Sequence, residues 1–191
     1  MPKTYTQDQT FANQKFTENF LPIAEYENCK FLNCDFANSK LSECGFADCE
    51  FIGCNLSLAK IDKTSFREVH FVDSKLLGLV FDHCIEFLFS VSFSNCILNL
   101  AFFYGRNLKK ITFENCSLQD VDFTMADLSN AKFNTCDLIR AKFENTNLEK
   151  ADFRTSYNYS FNPALNRMKK AKFSVAGIYG LLDNYDIVIE N

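Results

Sequence analysis

The side chains with the greatest chemical capacity in this sequence are nine cysteines, two histidines and a set of regularly placed aspartates. Thiolates hold a soft metal when four ligands converge, form a disulfide when two Cβ vectors face each other, and act as nucleophiles beside a base. Cys96, Cys116 and Cys136 are spaced by twenty, as are Cys29 with Cys49 and Cys34 with Cys54, and no CxxC occurs. A ladder of that spacing gives parallel side chains about 5 Å apart, within disulfide range but wrongly oriented for the bond. Free buried thiols, packed as small hydrophobes, are the expected state. His70 and His83 are too few for a histidine metal site, and no GxSxG, P-loop or GxGxxG is present. Asp122, Asp127, Asp137 and Asp152 recur at one phase of a repeat. There a short polar side chain serves by hydrogen-bonding turn backbone. No catalytic residue, metal site or cofactor is expected, and the chain does not read as an enzyme.

The elements that carry these residues follow from a period of five. Stepping by five from Phe11 reaches an apolar residue fifteen times in succession, ending at Phe81. The frame fails at Glu86; a shift of two resumes it at Leu88 and holds it from Phe93 to Phe153. From Ala24 onward small side chains dominate the position two before each centre, and all nine cysteines fall at that phase; Arg106 is the clear exception. Five matches neither the 3.6 of a helix nor the 2.0 of a strand, so each pentad must join a short extended piece to a turn. The centre and the residue two before it point inward, and the other three positions meet solvent.

Composition agrees with a repetitive, Phe-filled core: of 191 residues 22 are Phe, none is Trp, 6 are Gly and 3 are Pro. A net charge of −4 offers no general basic footprint for nucleic acid. The amino terminus shows no apolar signal segment, and no run of about 18 apolar residues could span a bilayer. A cytoplasmic protein with no membrane association is the expectation.

The motif of small residue, Asp/Asn/Lys/Ser, then Phe/Leu, clearest in Ala126-Asp127-Leu128, Ala131-Lys132-Phe133, Cys136-Asp137-Leu138 and Ala151-Asp152-Phe153, resembles the pentapeptide-repeat family. The resemblance implies an all-β fold, a right-handed quadrilateral parallel β-helix with one pentad per face and four per coil, so that residues twenty apart stack. The strict Phe/Leu alternation from Phe93 to Phe153 supports that number, because it yields two opposite Phe faces and two opposite Leu faces. About 29 pentads make roughly 7 coils, a rod of about 34 Å at the spacing of neighbouring strands.

Residues 1–21 are expected to form an amino-terminal cap or irregular first coil, 22–157 the β-helix with a two-residue frame shift at 82–87, and 158–191 a carboxy-terminal cap and dimerisation element. The frame shift should push out a small bulge, carrying Asp82, His83 and Glu86; loops on rigid scaffolds often bear function. A tolerated insertion without a role is the competing reading, as a solvated position is for His83. Nearby outward positions turn apolar: Leu77, Val80, Ile97, Leu100, Phe102 and Tyr104. Across the shift residues stack at a separation of 22, which puts Val80 under Phe102 and Asp82 under Tyr104. Such a patch marks a partner surface unless Phe87 and Phe89 fold back and cover it. Arg167, Lys169, Lys170 and Lys172 read as a solvated rim.

From Ser174 to Leu182 the spacing suggests a short capping helix with a Ser N-cap, weakened by Gly177 and Gly180, followed by a strand at Ile187-Val188-Ile189. A solenoid end needs such a cap. This terminal element is similar to that of Qnr-like and MfpA-like quinolone-resistance members of the family. The likeness rests on Lys172-Phe173-Ser174, Leu181-Leu182 and Ile187-Val188-Ile189. It implies a tail-to-tail homodimer through Ile178, Tyr179, Leu181, Leu182, Ile187 and Ile189. It also implies a DNA-mimicking surface toward a bacterial type II topoisomerase, DNA gyrase or topoisomerase IV, and fluoroquinolone protection. Charge matches such mimicry in part: residues 1–92 sum to −5, whereas 93–157 hold eight acids and eight bases. A structural or regulatory module for an unrelated protein partner is the alternative.

Overall fold

Most pentads turn a corner because one residue in them takes the left-handed conformation. In the computed structural model, which describes residues 4–185 together with 187 and 188, that residue lies two places after the inward centre. Asn33 (φ 51°), Asp48 (φ 52°), Gly53 (φ 65°) and Lys110 (φ 63°) are examples. Asn, Asp and Gly reach this region at least cost, which accounts for their frequency at this phase. The turn is closed by a backbone bond from the next small residue to the centre, as from Ser39 N to Phe36 O at 2.9 Å and from Ala126 N to Phe123 O at 3.0 Å.

Four pentads complete one coil, and the coils stack as a parallel β-solenoid. We call the faces I to IV in chain order, beginning with the one centred on Phe11. Face I is a seven-stranded parallel sheet: Thr10–Ala12, Lys30–Leu32, Glu50–Ile52, Val69–Val72, Val91–Ser94, Thr112–Glu114 and Lys132–Asn134. Face IV is a four-stranded sheet: Thr4–Gln7, Ala24–Glu27, Gly45–Ala47 and Ser65–Arg67. Register is twenty in the lower coils, with Phe31 beside Phe51, and twenty-two across the insertion, with Phe71 beside Phe93. Faces II and III are held by isolated parallel bridges of the same register, such as Asp35 to Asn55 and Lys40 to Lys60.

The core is a set of stacked columns. Face I stacks Phe rings from Phe11 to Phe173, with centroids 4.6 Å apart for Phe31–Phe51 and 5.4 Å for Phe93–Phe113. Above the insertion face III stacks Phe81, Phe103, Phe123 and Phe143, at 4.6, 5.4 and 5.2 Å. The two opposite Phe faces read from the alternation are therefore present. Below the insertion the second aromatic column lies instead on face IV, through Tyr26, Phe46 and Phe66.

The frame shift lies later than the sequence frame suggests. Cys84 and Ile85 keep a register of twenty, since the Cys84 thiol bonds Ile61 O at 3.4 Å, as Cys54 bonds Phe31 O, and Ile85 N bonds Thr64 O at 2.9 Å. The register of twenty-two begins where Val69 N bonds Ser90 O at 3.1 Å. The extra residues thus fall between Ile85 and Val91. Leu88 does not resume the inward series: it is a left-handed turn residue (φ 57°) and points to solvent. Phe89 turns inward in its place and packs against Phe66 and Phe81. The ring is held there edge-on to Phe66 and Phe81 and under the Arg106 guanidinium, 4.3 Å from its centroid, contacts that a leucine cannot make.

At the carboxy-terminal end Ser174–Leu182 forms turns and a single 3-10 turn at Ile178–Leu181. Ser174 Oγ accepts the Gly177 N–H at 3.1 Å, the bond expected of an N-cap. Two glycines in so short a stretch leave too few residues for a stable α-helix. Their place is fixed by packing: a Cβ on Gly180 would lie 1.8 Å from the Tyr159 carbonyl oxygen. Ile187 and Val188 are exposed and outside any strand.

Candidate protein-interaction surface

The polar coat of the solenoid has a regular construction. Where the position before a centre is Asp or Asn, its side-chain oxygen commonly accepts the N–H two residues on, as Asp122 does from Thr124 (2.8 Å) and Asp127 from Ser129 (3.0 Å). This is the turn role assigned to those aspartates from their spacing. Where Arg154 donates to Asp152 and Arg140 to Asp120, the guanidinium holds the carboxyl below its usual range.

On face III this coat is interrupted. Val80 and Phe102 stand where the caps would be, bridged in register, with Asp122 beyond Phe102. Phe102 is 45% exposed and Tyr104 48% exposed. The Tyr104 hydroxyl donates to Met125 Sδ at 2.9 Å, and Leu100 lies at the adjoining corner. Asp82 lies beneath Tyr104 by register, next to Val80. His83 follows, with Nδ1 3.1 Å from Asp62 Oδ1. Glu86 is separated from this group: it begins the bulge on face IV. Phe87 is 75% exposed at the bulge tip and Phe89 is turned into the core, so neither covers the patch. Leu58 and Met125 extend its apolar character. Both are left-handed turn residues (φ 56° and 60°), a phase at which apolar side chains stand outward.

Arg106, the violation of the small-residue phase, anchors the bulge. It is buried, its guanidinium lies 4.3 Å from the centroid of the Phe89 ring, and it donates to Cys84 O at 3.0 Å and Ile85 O at 3.3 Å. Burial lowers its pKa, opposed by the Cys84 thiol and by Glu86 and Asp82. A charged residue in a slot filled from Ala24 onward by small or aliphatic side chains was the sequence signal.

The cysteines serve as donors. Eight of the nine thiols point at the carbonyl of a centre in the coil below, as Cys54 to Phe31 O (3.2 Å), Cys84 to Ile61 O (3.4 Å) and Cys136 to Phe113 O (3.4 Å), whereas Cys44 meets Pro22 O at 3.8 Å. Ser74 and Ser156 do the same to Phe51 and Phe133, and Thr146 to Phe123. At many positions of this phase the small side chain is thus also a donor to the coil below, and at others it is Ala or Val. Burial pushes Cys49, Cys54 and Cys84 up to about 12. All nine are free, and among the described residues no three metal-ligating side chains converge.

Of the expected dimer residues, Ile178, Tyr179 and Ile187 are exposed at the end of the rod, Leu181 is buried within the cap and Leu182 is half-buried. Ile189 lies outside the described residues. Among the described residues no helix is long and apolar enough to cross a membrane.

No curated protein matches this chain. Among solved structures it is similar to trypsin-treated QnrB1, a plasmid-mediated fluoroquinolone resistance protein. That pair shares 20% identity over 97% of this chain and 100% of the other, with a TM-score of 0.49. It is also similar to HetL, a pentapeptide repeat protein involved in heterocyst differentiation regulation from a Nostoc cyanobacterium. There the identity is 15% over 89% of this chain and 87% of the other, with a TM-score of 0.41. The pentapeptide repeat region model matches residues 24–85 and 86–158, and its break falls at the start of the bulge. With those two blocks and the stacked four-sided coils, the chain belongs to the pentapeptide repeat family.

Proposed function

We propose that this chain is a non-enzymatic protein-binding rod. The observation that carries the reading is the uncovered patch of Val80, Phe102 and Tyr104, held on a shaft whose interior is filled by stacked rings. Exposed apolar clusters on a rigid scaffold are partner surfaces. The partner we propose is a type II topoisomerase, DNA gyrase or topoisomerase IV, engaged by a DNA-mimicking tail-to-tail homodimer that protects it from fluoroquinolones. Membership of the family and the likeness of the carboxy-terminal residues to Qnr-like members support that identity, and the exposed Ile178, Tyr179 and Ile187 suit the tail contact. A supercoiling assay titrated with the protein, without and with ciprofloxacin, tests it. Inhibition, or restored activity in the drug, is the expected result; no effect at tens of micromolar overturns the topoisomerase reading.

A second reading is favoured by the chemistry of the patch itself. DNA presents phosphate rather than exposed aromatic and aliphatic side chains. An unrelated protein partner would therefore depend on Phe102 and Tyr104, whereas a topoisomerase would depend on the acids of the lower coils. Charge reversal of those acids and F102S/Y104S separate the two readings in the same assay.

A further inference from the structure

The edge where face IV meets face I carries one left-handed turn residue per coil. Read upward these residues are Asp8, Asn28, Asp48, Glu68, Leu88, Lys110, Asn130, Lys150 and Lys170. The column is acidic or amide below the bulge, apolar at it, and basic or amide above. We propose that a second copy of this chain packs antiparallel along this edge, about a two-fold axis at Leu88.

Counting coils outward from Leu88 sets the facing residues. One step away Glu68 meets Lys110, two steps away Asp48 meets Asn130, three steps away Asn28 meets Lys150, and four steps away Asp8 meets Lys170. No like charges face each other. The neighbouring column on face I, two residues further along each strand, follows the same rule. In that column Glu50 falls opposite Lys132, and Lys30 opposite Asp152; within the chain Lys30 also pairs with Glu50 at 3.2 Å and Asp152 with Arg154 at 2.8 Å. At about 4.8 Å per coil the matched edge is about 38 Å long. A parallel arrangement would set Glu68 against Glu68 and Lys110 against Lys110, so charge selects the antiparallel one.

Two further observations suit a second copy. Lys110, Lys132, Lys150 and Lys170 have no ion pair among the described residues, although Lys109, beside Lys110, is paired with Asp127 at 3.4 Å. The axis falls on the bulge tip, where Phe87 is 75% and Leu88 59% exposed. Across a two-fold axis the same patch meets itself, so one apolar tip supplies both halves of an apolar centre inside a charged rim. The contact is separate from the tail, which lies at the end of the rod.

Sedimentation velocity of full-length chains tests this, with I178S/Y179S in every chain so that a tail contact cannot carry the dimer. Unchanged far-UV spectra and melting confirm folding. The parent should dimerise at about 50 mM salt and weaken at least about tenfold at about 500 mM, as screened charge pairs do. K110E/K132E alone and E50K/E68K alone should each associate at least tenfold more weakly than the parent. Their equimolar mixture should recover the parent's affinity, and L88E should abolish association. The proposal is overturned if the parent stays monomeric at about 200 μM in low salt. It is also overturned if the reversed chains associate as the parent does, or if their mixture does not recover. Dimerisation of the chain with its native tail, lost on I178S/Y179S and indifferent to the charge swaps, would leave the tail reading standing and remove this one.

Discussion

The coils below the bulge and the coils above it contain the same kinds of residue in different places. Below, the second aromatic column stands on face IV beside that of face I, and both faces are regular sheets. Above, it stands on face III opposite face I, and face IV continues through Leu108, Leu128 and Leu148 with bridges in place of strands. Each cross-section therefore keeps a mixture of rings and aliphatic side chains while their arrangement changes. A close-packed core permits such a change only where one coil absorbs the mismatch. That coil holds Phe66, Phe81 and Phe89 together, expels Glu86 to Leu88, and uses Arg106 to bond the carbonyls left behind.

The largest test of this contrast removes the junction. Deleting Phe89 and Ser90 alone restores a register of twenty throughout but points Glu86 inward, and should cost about 4 kcal/mol or more, because a carboxylate and the Arg106 guanidinium are then buried together in an apolar core. The same deletion with E86L and R106A should recover most of that loss in denaturant unfolding. No recovery would mean that the junction does more than join two packings.

Next, R106A leaves Cys84 O and Ile85 O without their charged donor and should cost about 2–3 kcal/mol, with faster amide exchange around the bulge. R106K should recover less than half, since one ammonium cannot reproduce the planar fork.

Away from the junction effects shrink. C116A removes one thiol donor to Phe93 O and should cost about 1 kcal/mol, whereas C116S should be close to neutral because Ser74 and Ser156 fill the same column. Bonding to Cys136 and burial push the Cys116 thiol up to about 12. A disulfide reagent at pH 8 should therefore label it only as fast as the protein unfolds; rapid native labelling would contradict this donor role.

Smallest is the surface pair of Asp152 and Arg154. Its hydrogen bond holds the folded-state pKa below the unfolded value, so the contribution is present above about pH 4 and lost as pH falls through the depressed value. D152N should cost a few tenths of a kcal/mol at neutral pH, and the difference between the two melting curves should close in acid.

Much of this architecture was legible in the chain itself. The alternation from Phe93 to Phe153 declared the four-sided coil, and the arithmetic of twenty-two placed Val80 under Phe102. The junction was harder to place because Leu88 and Phe89 are both apolar. A five-residue frame cannot distinguish a leucine at a left-handed outward corner from one that points inward. Proximity in sequence groups Glu86 with Asp82 and His83, but the chain turns a corner between them. The donor role of the cysteines depends on where carbonyls of the coil below point, which spacing does not reveal. Arg106 was visible as an exception, and its meaning came only with the two carbonyls it meets. The terminal turn looked helical because Ile178, Leu181 and Leu182 share helical spacing, while Gly177 and Gly180 answer to contact with Tyr159.

A solenoid with one uniform repeat has an identity problem: any coil could stack on any other, and a chain slipped by twenty residues would lose contacts only at its ends. The bulge marks one coil as different from the rest. A slipped chain would bring Arg106 over an ordinary coil, where Cys84 O and Ile85 O are absent and the charge stays buried without them. The single irregular coil thus tells the folding chain which coil is which, and disfavours both slippage within one molecule and the threading of one molecule's coils onto another's.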